Sequence, residues 1–354
     1  MKIDKKRFVM TSSPHIRAEE NVRSIMMDVI IALFFPLIMG TYFFGWRALI
    51  LTLVSVGAAV AFEEGYRRLA KKPRSTDDLS AVVTGMMLAL CLPVTTPLWI
   101  PVIGAFFAIV IVKQLYGGLG KNFLNPALAA RAFLFSWPAF ISVWTKPQIG
   151  ASTLPLFGNI TRESLSPDVI ASATPLGKMK EGLLPSLSVD KADALIDLRD
   201  VVVGNVAGCI GEVSAVVIVA ALIYLLIRKV ITIHTPLAFV GTVAILTFLF
   251  PQGGNDATQW MLYSVCSGGL LFGAVFMATD YTTSPVTAKG KLLYGAGCGI
   301  ITVMIRYFGM YNEGVTFAIL IMNCVACFID RVVRPRRFGM DPGLFRRKES
   351  GADE

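Results

Sequence analysis

Asp168-Val-Ile-Ala-Ser172-Ala173-Thr174-Pro175 is the segment whose residue types point most directly to chemistry, because it sets a hydroxyl before a proline inside the polar stretch 145–205 of an otherwise apolar chain. Pro175 disfavours helix at Thr174 and biases it to extended backbone, which presents the hydroxyl to a modifying enzyme. Ala-Thr-Pro is also ordinary loop chemistry, so the tripeptide alone marks an accessible hydroxyl and no more.

Two joints between apolar stretches hold the other candidates. In Gly117-Gly118-Leu-Gly120-Lys121-Asn122-Phe-Leu-Asn125-Pro126, the amides of Asn122 and Asn125 can face one side of a turn. There they suit the polar edge of a heteroaromatic ring; equally, Asn125-Pro126 can open the next helix with the amides as caps. In Thr279-Asp280-Tyr-Thr-Thr-Ser284-Pro285, the carboxylate of Asp280 can pair with Arg131, hold a cation, bond a cofactor ring or serve as a cap. Glu212 and Asp28 are further carboxylates suited to ion handling. With only His15 and His234, a bis-histidine haem is not supported, and neither a P-loop nor a dinucleotide fingerprint follows a strand. Cys324 and Cys327 are two thiols on one helical face, too few ligands for a metal, so packing is their expected role.

These residues need elements that hold them at membrane depth. Apolar residues fill 55% of the 354 positions and charged ones 16%, with a mean hydropathy of +0.64, which makes the chain a polytopic, all-α membrane protein. Ten apolar stretches are predicted as transmembrane helices, over 25–45, 47–62, 79–92, 98–112, 127–144, 208–227, 235–250, 260–279, 292–307 and 315–329. The third and fourth are short enough to be half-helices. Residues 1–24 lack the apolar core of a cleavable signal, so the first span is expected to insert the chain. The net charge of +9 sits in loops at span ends, which explains it by orientation and argues against nucleic acid.

With the amino terminus in the cytoplasm, 24 of the 33 basic residues fall on that side, both termini are cytoplasmic and Thr174 is extracytoplasmic. Gly85-Met-Met-Leu88, Thr95-Thr-Pro97 and Gly120-Lys-Asn122 echo Gly269-Leu-Leu-Phe272, Thr283-Ser-Pro285 and Gly309…Asn312. Five spans per copy give two inverted five-helix repeats. The expected organisation is a cytoplasmic segment 1–24, a first repeat 25–144, one long extracytoplasmic loop 145–205, a second repeat 206–330 and a basic cytoplasmic tail 331–354.

The anchor loop, the ten spans and the Gly-Lys-Asn-Phe-Leu-Asn-Pro-Ala joint together resemble the NqrB/RnfD family over nearly the whole chain, and its Rnf-complex members most. The resemblance implies FMN joined through its phosphate to Thr174 by a flavin transferase that reads Asp168, the run to Ala173, and Thr174, with Ser172, Ala173 and Pro175 beside the bond. Ala171-Ser172 stands where the family often has Ser/Thr-Gly. It further implies a non-covalent riboflavin at Asn122, Asn125 and Asp280, with partner subunits of an Rnf-type complex passing electrons between ferredoxin and NAD⁺ while Na⁺ or H⁺ moves outward. Lys178 and Lys180 either offset the phosphodiester charge or form a solvated face. The alternatives are the B subunit of a Na⁺-pumping NADH:quinone reductase, which would bind quinone near the first span, and a non-redox inverted-repeat channel or transporter using Asp280, Arg131 and Asn122.

Overall fold

The computed structural model describes residues 21–72, 76–141, 143–145, 147, 156, 174–180, 198–212, 214–252, 256–309 and 313–334. Among them there is no strand, and every one of the ten apolar stretches contains helix. Two long helices open the bundle, α1 (Val22–Phe44) and α2 (Trp46–Leu69). Gly45 links them at φ 77°, where its N–H returns to Thr41 O at 2.8 Å and closes α1.

Half-length elements follow. α3 (Ser80–Leu90) and α4 (Trp99–Phe106) are separated by Pro93 and Pro97, and α4 runs on as a π-helix over Phe107–Gln114. Non-helical backbone between α3 and α4 is tolerable at membrane depth only if its polar groups find protein partners. Here Ile210 N donates to Leu92 O (3.2 Å) and Gly211 N to Leu90 O (2.8 Å), while buried Arg47 donates to Val94 O (2.9 Å) and Thr96 O (3.3 Å). A Cβ on Gly211 would stand 2.8 Å from Leu90 Cβ, so glycine is what lets the two backbones meet. Arg47, in the first turn of α2, is thereby a buried cap on the carbonyls of the first repeat's break.

Three predicted spans are interrupted. Residues 127–144 form α5 (Pro126–Leu134) and α6 (Pro138–Ile141), because Pro138 offers no N–H to continue the helix. After the short helices α7 (Pro175–Lys180) and α8 (Leu198–Val203), residues 208–212 and 214 are not helical, and α9 is confined to Ala215–Ile227. α10 covers His234–Leu249. Residues 260–279 split into α11 (Ala257–Cys266) and α12 (Leu270–Phe272), the latter running on as a π-helix to Met277, bent by 58° at Gly268 and Gly269, whose φ values are 72° and 63°. α13 (Ala288–Phe308) and α14 (Val315–Val332) complete the bundle.

Among the described residues, α1, α2, α13 and α14 are long and apolar enough to cross a membrane, and the bent pair α11/α12 makes a fifth. α3, α4 with its π-helix, α9 and α10 are shorter apolar helices. This is a membrane protein whose exposed residues include many large apolar side chains, such as Ile38, Leu53, Ile223 and Phe328. Cys324 and Cys327 belong to that outer surface of α14 rather than to the packed interior expected for them.

Candidate functional site

Thr174 sits half-buried immediately before α7, and its Oγ1 accepts a hydrogen bond from Gly177 N at 3.2 Å. Pro175 at the first helical position is buried, consistent with its fixed φ and missing N–H. Leu176 and Met179 of α7 pack with Val201, Trp260 and Tyr263, which seats the helix on α11. A Cβ on Gly268 would lie 1.9 Å from Leu176 Cδ1, so Leu176 rests directly over the α11/α12 break. Asp168, Ser172 and Ala173 lie outside the described residues, as do the side chains of Lys178 and Lys180.

The two polar joints meet. Asn122 Nδ2 donates to Leu124 O (3.0 Å) and to Thr282 Oγ1 (3.1 Å), and Thr282 Oγ1 lies 3.3 Å from Asp280 Oδ2. Asn122 Oδ1 is buried and has no hydrogen-bond partner among the described residues. Asn125, fully buried, caps α5: its Oδ1 accepts from Ala127 N (3.0 Å) and Leu128 N (3.3 Å), while its Nδ2 donates to Met277 O (3.4 Å). Both sequence readings of Asn125-Pro126 thus meet one physical fact, that the Asn125 oxygen is spent on the helix. Asn323, absent from the sequence-based candidates, accepts from Asn125 N (3.2 Å) and donates to the Tyr294 hydroxyl (2.6 Å) once its amide is oriented to satisfy both. Asp280 lies in the connection after the α12 π-helix and lines an apolar crevice with Val29, Leu225 and Phe276. Burial there raises its carboxyl above the usual range, against the Thr282 and Thr283 donors that favour the charged form.

Arg131 does not pair with Asp280. Its guanidinium donates to Glu313 Oε2 (2.5 Å), to Glu212 Oε1 (3.3 Å) and to Cys209 Sγ (3.3 Å), a buried cluster drawn from α5 and from the segments before α9 and α14. The carboxylates of Glu212 and Glu313 and the thiol of Cys209 offer three ligand atoms within 4.8 Å of one another, but the guanidinium already supplies their counter-charge. Arg306 donates to Ser264 O (2.5 Å), Ser267 O (3.3 Å), Gly268 O (3.4 Å) and Glu313 O (3.1 Å). The α11/α12 break beneath α7 is thereby tied to the Arg131 cluster. Asp28 is likewise neutralised, by Arg228 at 3.1 Å, and accepts from Tyr224 OH at 3.1 Å.

A second buried ion pair lies outside the sequence-based candidates. Lys113 Nζ lies 2.9 Å from Glu63 Oε2 and 2.6 Å from Ser80 Oγ, and Gln114 Nε2 donates to Glu63 Oε1 at 2.8 Å. By sequence Lys113 is one of the cytoplasmic orientation charges and nothing more. The signal for the pair is Glu63 at the end of an apolar run, a costly position without a partner.

The chain matches the model of the NQR2, RnfD, RnfE family over residues 9–339. It is 43% identical, over 94% of its length and 95% of the relative's, to the D subunit of the Na⁺-translocating ferredoxin:NAD⁺ oxidoreductase complex of Acetobacterium woodii. It is 37% identical to the D subunit of the proton-translocating ferredoxin:NAD⁺ oxidoreductase complex of Clostridium ljungdahlii, over 95% and 98% of the two chains. To the D subunit of the ion-translocating oxidoreductase complex of Stutzerimonas stutzeri it is 38% identical, over 90% and 92%. With its apolar helices and polar joints, the chain belongs to the NQR2, RnfD, RnfE family.

Proposed function

We propose that this chain is the flavin-carrying membrane subunit of an ion-translocating ferredoxin:NAD⁺ oxidoreductase complex, with FMN esterified to Thr174 and riboflavin held at the Asn122–Asp280 joint. The observation that carries the reading is the buried, unpartnered Oδ1 of Asn122, 160 residues in sequence from the Thr282 hydroxyl that its own Nδ2 reaches. An acceptor buried without a donor costs free energy unless a ligand N–H completes it, and a flavin ring offers one. Asp280 and Thr282 complete the polar edge.

At the other site, Thr174 Oγ1 keeps the Gly177 N–H within 3.2 Å, a donor of the type phosphate oxygens take. Leu176 and Met179 hold α7 against α11, so a group on Thr174 is fixed over the break that Arg306 ties to Glu313. Flavins supply one- and two-electron transfer when bound, and the protein contributes position and potential.

The ten-span, inverted arrangement belongs to the same proposal. In the first half α2 packs on α3 and α4, in the second α10 packs on α11 and α13, and α1 meets α9 as α5 meets α14; this parallel pairing supports a two-fold relation between the halves. Basic residues at the ends of α2, the α4 π-helix, α9 and α14 and at the start of α13 support a cytoplasmic assignment of that end. Thr174 is then extracytoplasmic. The test is in-gel flavin fluorescence of the denatured chain matured in a host with a flavin transferase. A fluorescent band that Thr174→Val abolishes is expected; a colourless wild-type band, or one unchanged by the substitution, overturns the reading.

A further inference from the structure

A cavity of about 360 Å³ opens at the end of the bundle where α9 finishes and α10 and α13 begin. Its polar wall carries Lys229, Lys291, Thr232, Thr235 and Ser284, and Tyr281 stands at its inner edge. The apolar crevice lined by Val29, Leu225, Val275 and Phe276 adjoins it, and both share Val230, Ile231, Thr279 and Tyr281. Aliphatic and aromatic side chains therefore lie next to the cavity that holds the two ammonium groups.

Among the described residues, the charge in this mouth is unbalanced. Arg228, the neighbouring cation, is neutralised by Asp28, whereas Lys229 has no ion pair among the described residues and Lys291 donates only to Thr232 Oγ1, at 3.1 Å. Of the nearby carboxylates, Asp330 accepts from Val286 N (3.1 Å) and Asp280 accepts from Thr282 and Thr283. Thr235 lies in the first turn of α10 and Lys291 in that of α13, helices of 16 and 21 residues whose positive ends add to the field. Lys229 also holds a left-handed backbone, φ 56°, at a helix end where glycine is the unstrained choice.

We propose that this cavity binds the phosphate headgroup of an anionic phospholipid, with Lys229, Lys291 and the Thr232 hydroxyl on the phosphate and an acyl chain leaving along the apolar side chains beside it. The inference does not depend on either flavin. Two cations and the Thr232 hydroxyl match a phosphodiester, and the apolar side chains beside them select a lipid over a soluble anion.

The test is native mass spectrometry of the full chain in detergent, delipidated and reloaded with phosphatidylglycerol or phosphatidylcholine. Retention of phosphatidylglycerol over phosphatidylcholine is expected, weakened about fivefold for each ammonium removed, in Lys229→Gly and Lys291→Gln. Glycine suits the backbone at 229, so misfolding does not explain a loss there. Lys71→Gly is the control: Lys71 has the same left-handed backbone, φ 51°, and lies outside the cavity, so its variant should retain lipid like the wild type. Equal retention of the two lipids, or phosphatidylglycerol retention unchanged in both cavity variants, overturns the proposal. Displacement of phosphatidylglycerol by equimolar inorganic phosphate would make the cavity a soluble-anion site and likewise overturn it.

Discussion

Arg131 and Glu313 stand 182 residues apart in sequence and 2.5 Å apart in space, joining α5 of the first half to the start of α14 in the second. Because both side chains are largely withdrawn from solvent, removing the cation leaves Glu313 and Glu212 facing each other without compensation. Arg131→Met is expected to cost roughly 3–5 kcal/mol, read as a marked loss in thermal stability of the purified chain, with Arg131→Lys intermediate. A melting temperature unchanged in Arg131→Met would show that the cluster does not join the halves.

The Glu63–Lys113 pair predicts a different pattern. Glu63 is fully buried and Lys113 2% exposed, so either single change, Glu63→Leu or Lys113→Met, strands a charge and is expected to destabilise by about 3–5 kcal/mol. The double variant removes both charges and is expected to recover most of that loss. A double-mutant cycle with additive losses would mean that the two side chains act independently.

Asn122 and Asn125 should separate into two roles. Asn125→Ala removes the α5 cap and is expected to cost about 1 kcal/mol in thermal stability. Asn122→Leu takes away the unpartnered acceptor, so it is expected to lower the flavin released by acid precipitation while the covalent fluorescent band persists. Full release of non-covalent flavin from Asn122→Leu would remove Asn122 from that site.

Asp280 sets a pH dependence of unusual sign for a carboxylate. Burial raises its folded pKa above the unfolded value of about 3.9, so the folded protein holds the proton more tightly. The resulting stabilisation is complete below the unfolded pKa and is lost as pH rises through the raised folded one. Melts of the wild type and Asp280→Asn should therefore diverge with rising pH, the wild type losing ground. A gap between them that is constant from acidic to neutral pH would exclude this titration.

Local features were legible without coordinates. The helix start at Asn125-Pro126 and the short third and fourth spans each follow from neighbouring residues. The split of 127–144 is also written locally, in Trp137-Pro138, but its apolar flanks mask it. Of the glycine pair at 268–269, only Gly269 stands out by sequence, as a repeat marker, although the left-handed backbone of both is what bends α11 away from α12.

Composition and periodicity by themselves determined that this chain is helical, membrane-embedded and interrupted by polar joints, because transfer from water to an apolar phase is a sum over nearby residues. Only the tertiary structure decided the partners: Arg131 with Glu212 and Glu313 instead of Asp280, Lys113 with Glu63, and Asn122 with Thr282. A buried polar group bonds to whatever donor or acceptor the packed bundle brings within about 3 Å, and that neighbour is set by helix packing rather than by distance along the chain.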